Sequence, residues 1–278
     1  MKAAFQKEDA LLKDIADARH RGATRLWWLG QSGFLLYANC KTIVFDPYLS
    51  DSLTRKYAHT DKPHIRLTER VLAPELLAGV DYITCSHNHT DHLDSETLLP
   101  LLKTNPEAKL LIPRANLTFV LERLGSIESR LVPIDAGESV LVDGVEFHGI
   151  PSAHNLVERD NEGRCRFLGY VARLGRFSVY HSGDTLLHHT LVSTLRPFAV
   201  DVACLPINGN RPERGVAGNL NGLEAAQLAR QIGARLAVPH HFDMFAFNTE
   251  APDQFEAECR RICQPFRTLQ NGEGVDVG

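Results

Sequence analysis

Three histidines and two aspartates fall within the eight residues His87 to Asp94 of Ser86-His87-Asn88-His89-Thr90-Asp91-His92-Leu93-Asp94. The apolar run Val80-Asp81-Tyr82-Ile83-Thr84-Cys85 leads directly into them. Imidazole and carboxylate suit zinc, manganese and iron alike. In extended chain His87 and His89 point to the same side, so both reach one ion. If Thr90 to His92 begin to turn, Asp91 and His92 are re-aimed toward a second ion beside it. The competing reading is a solvated turn that happens to be rich in histidine. A chain has little other reason to crowd these groups at a strand end.

His-x-His-x-Asp-His after an apolar strand resembles the signature of the metallo-β-lactamase fold superfamily of metallohydrolases. Four further stretches narrow the likeness: Trp27-Trp28-Leu29-Gly30-Gln31-Ser32-Gly33-Phe34, Asp46-Pro47-Tyr48, Tyr180-His181-Ser182-Gly183-Asp184-Thr185 and Val238-Pro239-His240-His241-Phe242-Asp243. Together they resemble the UlaG-like branch, the ascorbate-6-phosphate lactonases. A more distant likeness is to N-acyl-phosphatidylethanolamine phospholipase D. The resemblance runs from about Thr24 to about Phe245.

That resemblance implies a four-layer αββα sandwich, an α/β (α+β) fold with two mixed sheets and helices on the outer faces. It also implies two divalent ions, zinc or manganese first and iron as an alternative. His87, His89 and His154 would hold one ion, and Asp91, His92 and His241 the other, with Asp184 bridging. His154 is preferred to His148, which sits inside a strand. Aligning Pro239 and Asp243 puts His241 rather than His240 on the metal and leaves His240 in the cleft. Asp46 would orient an imidazole from behind, although an aspartate before proline also starts turns. His181 falls near the site, as a buried structural histidine or a participant. Such an ion pair lowers the pKa of a shared water toward about 7, so hydroxide forms at neutral pH, with Asp91 or Asp184 handling the proton. Diiron flavoproteins of this fold carry an acidic residue between the first two motif histidines. This chain has Asn88 there, which favours hydrolysis over redox chemistry.

For the substrate, Arg214-Gly215-Val216 with Leu220-Asn221 resembles the Arg-Gly-Ile and Met-Thr of the lactonases, in a loop that begins at Asn208. A guanidinium there holds phosphate bidentately. The plain alternative is a surface loop ahead of a helix capped by Asn221. The segment Tyr48 to Pro74 carries Arg55, Lys56, His59, Lys62, His64, Arg66 and Arg70, which suits a rim that receives an anion.

The elements that must position these groups follow from periodicity and turn residues. A helix from about Lys7 to Arg19 ends at Gly22. Antiparallel strands at Arg25–Leu29, Gly33–Ala38 and Lys41–Asp46 form a meander. Strand-helix alternation follows: Val80–Cys85, Asp94–Leu102, Leu110–Ile112 and Ala115–Leu124. Strands Arg130–Ile134, Glu138–Val142 and Val145–Ile150 come next, with Asp143-Gly144 as a hairpin turn. The second half repeats the rhythm with strands Arg166–Leu174, Phe177–His181, Val200–Pro206 and Leu236–Pro239. Its helices are His188–Leu195, Gly222–Ile232 and Gln254–Cys263. The pattern by itself gives sheets with helices; the sandwich comes from the resemblance. Residues 1–278 read as one domain, with 1–22 a helix leading into it.

Composition excludes several classes. A chain of 278 residues with 44% hydrophobic residues builds one large core readily. A formal charge of −4 argues against a nucleic-acid platform. The six cysteines lack the paired spacing of a zinc ribbon or redox motif, and no disulfide is expected. There is no apolar signal core and no membrane-spanning stretch, so the expectation is a reduced, cytoplasmic, soluble protein. The leading reading is a metal-dependent hydrolase opening a lactone or related cyclic ester, with a small anionic molecule as substrate. The alternatives are a phosphodiesterase using the same ions and a non-catalytic metal-binding scaffold. Assembly as monomer or homo-oligomer is open.

Overall fold

The strands of this chain are nearly continuous apolar runs, and the computed structural model, which describes residues 1–278, shows why. Both faces of each sheet are covered. The first sheet contains β1 (Arg25–Gly30), β2 (Gly33–Ala38), β3 (Lys41–Phe45), β4 (Tyr82–Thr84), β5 (Lys109–Pro113) and β6 (Leu131–Ile134). The second contains β7 (Ser139–Val142), β8 (Val145–Pro151), β9 (Leu168–Leu174), β10 (Phe177–His181), β11 (Val202–Pro206) and β12 (Leu236–His240). A last strand, β13 (Gly274–Asp276), returns to pair antiparallel with β1. The orders are β13-β1-β2-β3-β4-β5-β6 and β12-β11-β10-β9-β8-β7. Both sheets are mixed: β3 to β6 run parallel, as do β10 to β12, and the other pairs are antiparallel.

Alternate residues of one strand enter different cores. Leu26 and Trp28 of β1, with Phe34 and Leu36 of β2, face the second sheet and join its Phe147, Tyr170 and Tyr180. Trp27, Leu29, Leu35 and Tyr37 point the other way. There they meet Leu11, Ile15 and Ala18 of α1 (Glu8–Arg21), and the same core takes in Leu98, Leu101 and Leu102 of α3 (Ser95–Thr104). It also takes in Val120 and Leu124 of α4 (Leu117–Leu124). On the far side of the second sheet lie α5 (Leu191–Leu195), α6 (Gly222–Ile232) and α7 (Asp253–Arg261). The order helix, sheet, sheet, helix is the expected four-layer sandwich. Each large apolar side chain buried this way contributes about 1.5–3 kcal/mol.

Local chemistry sets the ends of the elements. Gly22 closes α1 in the left-handed region, its N–H reaching Ala18 and Arg19 carbonyls. Asn221 and Glu224 form a reciprocal capping box at the start of α6. Asp143 and Gly144, both at positive φ, make the tight turn between β7 and β8.

The differences from expectation are local. The segment after Asp46, for which no regular element was expected, contains a short helix, α2 (Ser52–Lys56). The strand expected from Arg166 begins at Leu168, and the helix expected from His188 begins at Leu191. Three-residue 3₁₀ turns at Arg114–Asn116 and Glu128–Arg130 precede α4 and β6. No helix is long and apolar enough to cross a membrane. All six cysteines are free.

Candidate metal centre

The seven residues singled out as ligands meet at one edge of the sandwich. His87, His89, Asp91 and His92 occupy the turn after β4 in the first sheet. His154, Asp184 and His241 follow β8, β10 and β12 in the second. The turn closes on itself where the N–H groups of His92 and Leu93 donate to the His89 carbonyl. Three groups of potential ligand atoms result, each mutually within 4.8 Å: His87, His89 and His154; His87, His92 and Asp184; Asp91, His92 and His241. Asp184 touches both sides. Its Oδ1 lies 3.4 Å from His92 Nε2, and its Oδ2 lies 3.4 Å from His241 Nε2 and 3.7 Å from His154 Nε2.

The imidazoles are held by their outer nitrogens. His92 Nδ1 lies 2.6 Å from Asp46 Oδ2, and both side chains are fully buried. Asp46 also accepts from the Ser86 N–H at 2.8 Å and from the Ser86 hydroxyl, so its carboxylate is fixed on three sides. Of the two readings open for Asp46, the geometry matches the orienting one. His154 Nδ1 donates to the Gly218 carbonyl at 3.1 Å, and His87 Nδ1 lies 2.9 Å from Ser86 Oγ. Such contacts fix which ring nitrogen points inward.

The inner atoms answer whether metal fits. His87 Nε2 is buried without a hydrogen-bond partner, and the buried His92 Nε2 and Asp184 Oδ1 have only each other, at 3.4 Å. Orphaned polar atoms at this depth cost free energy unless something pairs them. Five imidazoles and two carboxylates aimed at one space are a donor set for two borderline divalent ions.

The chain tolerates local strain to make this space. Of the eleven non-glycine residues at positive φ, Gln31, Asp46 and His241 belong to this centre. Such residues cost on the order of 1 kcal/mol each and gather where function over-determines the backbone. Gly183 is required for a different reason: a Cβ there would sit 2.5 Å from Ser86 Cβ, so only glycine lets the two sheets' loops meet.

Electrostatics divide the cluster. Burial, reinforced by His92 and His89, pushes His87 well below its ordinary value. Burial also lowers His154, while His89 lies exposed at the cleft. His92 and His241 are shifted the other way: burial opposes their charge, but the Asp184 and Asp91 carboxylates outweigh it. Asp184 is held well below the usual carboxylate range despite burial, chiefly by His241 and His92. Asp91 is lowered by the same histidines.

The remaining predicted residues lie behind or beside this centre. His181 Nε2 donates to the Ser32 carbonyl at 2.7 Å, and its ring stacks on Phe45 and on His240. His240 is fully buried, with Nε2 3.4 Å from Ser182 Oγ. His148 lies on β8 against Phe198 and Glu146, away from the cluster. Arg214 and Asn208 do not line the cleft. The Arg214 guanidinium donates to the Asn208 and Thr249 carbonyls and pairs with Glu250. Asn208 is fully buried and bonds Asn248 and Asn219. Their polar atoms build the loop rather than face a ligand.

Two residues in the site were not anticipated. Gln31 donates its side-chain amide to Asp91 Oδ2 at 2.8 Å and lies 3.1 Å from His241 Nε2, while its carbonyl accepts the His241 N–H. The Gly30-Gln31-Ser32-Gly33 turn was visible in the sequence, but nothing in it pointed the glutamine inward. Arg123 of α4 donates to the Asn88 and Leu93 carbonyls at 3.3 and 2.9 Å and so clamps the metal-binding turn. Its partners are backbone atoms, which leave no trace in a sequence. The cluster opens into a cleft of about 650 Å³.

A family model described as the beta-lactamase superfamily domain matches residues 41–242. A relative from Methanoculleus marisnigri, named a UPF0173 metal-dependent hydrolase, is 29% identical over 91% of this chain and 97% of its own. Igni18, a metallo hydrolase from Ignicoccus hospitalis, superposes with a TM-score of 0.66 at 20% identity, covering 91% of this chain and 97% of that one. CmlA, a diiron beta-hydroxylase from Streptomyces venezuelae, shares the fold at TM-score 0.68 and 16% identity over 91% of this chain and 54% of its own. With more than two-thirds of its length matched by the family model and the ligand residues falling inside that span, this chain belongs to the beta-lactamase superfamily.

Proposed function

We propose that this protein is a metal-dependent hydrolase that opens a lactone or related cyclic ester. The observation that carries metal-dependent hydrolysis is the convergence of seven ligand side chains, several with buried unpaired inner atoms, at the floor of an open cleft; the lactone ring rests on the sequence resemblance to the lactonases. The name of the Methanoculleus relative supports metal dependence and hydrolysis. His87, His89 and His154 would hold one divalent ion and Asp91, His92 and His241 the other, with Asp184 shared. Bound there, the ions supply Lewis acidity and make water acidic enough to react near neutral pH.

The chain's own residues do the rest. Asp91 is ionised and lines the cleft, so it is placed to take the proton as water adds to the substrate carbonyl carbon. The ring C–O bond then breaks, and the same carboxyl returns the proton to the departing oxygen. Gln31 holds Asp91 in place through this cycle. Asp46 fixes the His92 ring and His154 is fixed by Gly218, which keeps the reacting geometry from drifting. Asn88 between the first two histidines departs from the acidic residue of the diiron flavoproteins, which supports hydrolysis over their redox chemistry.

The test is a panel of phosphorylated sugar lactones, simple lactones and phosphodiesters, offered to metal-reconstituted protein with His89→Ala as control. Lactone turnover that disappears in the variant is the expected result. Turnover of phosphodiesters alone would keep the metal centre and replace the substrate class. Fewer than about one metal per chain after chelator-free purification, with stability indifferent to chelator, would favour a scaffold.

A further inference from the structure

Three cations line the cleft, and none of them forms an ion pair with a carboxylate: Lys56, Lys62 and Arg123. Lys62 Nζ donates only to the Gly215 carbonyl at 3.0 Å. Lys56 Nζ lies over the Tyr57 ring at 5.1 Å. The Arg123 guanidinium spends one nitrogen on backbone carbonyls and rests on the Phe119 ring at 4.3 Å. The cleft's only acidic residues, Asp91 and Asp184, are already committed to the ligand cluster. These three charges face the cleft without an acidic partner.

The same cleft has an aromatic wall. Tyr57 stacks on His64 with ring centroids 4.3 Å apart and planes 21° off parallel. Phe245 and Phe247 meet the His64 ring edge-on at 4.9 and 4.6 Å. Burial keeps His64 below its ordinary value, so the ring serves as a flat apolar surface. The wall is a built feature: Thr54 Oγ1 donates to the His64 carbonyl at 2.8 Å, and Arg66 bridges to Phe245. Two chain segments distant in sequence, around 53–64 and 244–248, are locked together to present it.

We infer that the cleft takes an organic anion bearing a flat apolar group, its charge read by Lys56, Lys62 and Arg123 and its apolar part seated on Tyr57 and Phe247. This rests on the reading of the metal centre as the place where substrate reacts. It moves the anion contact away from Arg214, whose donors are consumed by the 248–250 segment. It also gives the wall a purpose that a small polar sugar would not use. Ring-on-ring contact and an unscreened cation at a cleft rim each add specificity to a bound anion.

The test is equilibrium binding by calorimetry of two non-hydrolysable probes, phenylphosphonate and methylphosphonate, to the metal-loaded protein. Phenylphosphonate should bind about tenfold or more tightly than methylphosphonate. Phe247→Ala should erase most of that ratio while leaving methylphosphonate unchanged. Lys62→Ala should weaken both probes about equally, by roughly fivefold, and Lys62→Arg should restore them. Metal content, measured on every variant, must match the parent for the comparison to count, and Tyr57→Leu provides a second aromatic deletion if Phe247→Ala does not fold. Equal binding of the two probes, or probe affinities unmoved by Lys62→Ala combined with Lys56→Ala, would overturn the inference. Because binding needs no turnover, failure of the lactone panel with these ratios intact sinks the reaction and leaves the ligand class standing.

Discussion

The two ion positions are built from different materials. His87, His89 and His154 form a position with no carboxylate of its own, and burial biases His87 and His154 toward the neutral form. Asp91, His92 and His241 form a position where carboxylates hold two rings toward the protonated form. An ion must displace protons from the second position but not from the first. The first is therefore a standing receptacle. The second is a contest between ion and proton.

Asp184 is where that distinction breaks down, because it faces His154 on one side and His92 and His241 on the other. Asp184→Ala should abolish binding at both positions and cut kcat/KM by about a thousandfold or more, checked by metal analysis alongside kinetics. Loss of one ion only would show that the carboxylate is not shared.

Asp46→Asn should act mainly on the second position, because Asp46 touches His92 directly and reaches His87 of the first only through Ser86. It takes the charge and one acceptor oxygen from behind His92 and should weaken that ion by roughly 10–100-fold, with a much smaller effect on the other in a chelator-competition titration. Acid should separate the positions too. A ring that keeps its proton to higher pH yields its metal at higher pH, so the Asp91/His92/His241 position should empty first as pH falls. The His87/His89/His154 position, with depressed values, should hold on to lower pH. Metal content measured after dialysis at stepped pH reads this directly; simultaneous release would erase the comparison. The smallest effect belongs to Gln31→Ala, which should loosen only the second ion by about tenfold, since Gln31 touches Asp91 and His241 and none of the first set.

The His87–Asp94 half of this centre was legible in the sequence because ligand chemistry restricts residue type, and His154, Asp184 and His241 were legible through the family resemblance. Histidines and aspartates at strand ends have few other uses, and all seven lie at one centre. The sheets were legible through their apolar runs, and Gly22, Gly233 and Asp143-Gly144 marked real ends and turns. What stayed hidden depends on partners rather than on type. Arg214 looked like an anion receptor because Arg214-Gly215-Val216 resembles the Arg-Gly-Ile of the lactonases. Only the positions of Thr249 and Glu250 show its donors taken. Arg123 lay inside a helix whose role was packing, and its carbonyl partners are invisible to any residue code. β13 is three residues long and has no apolar pattern of its own; it is a strand because β1 offers it an edge.

The turn that holds His87 to His92 belongs to one sheet, while His154, Asp184 and His241 belong to the other. His87 and His241 are 154 residues apart (241 − 87). Ions held between them would act as rivets through the seam of the sandwich, and no isolated half could hold them as the whole does. Bound metal would then slow amide hydrogen exchange across both sheets together instead of quieting one loop. During refolding it would arrive late, once the seam has closed, and thereafter set the rate at which the seam reopens.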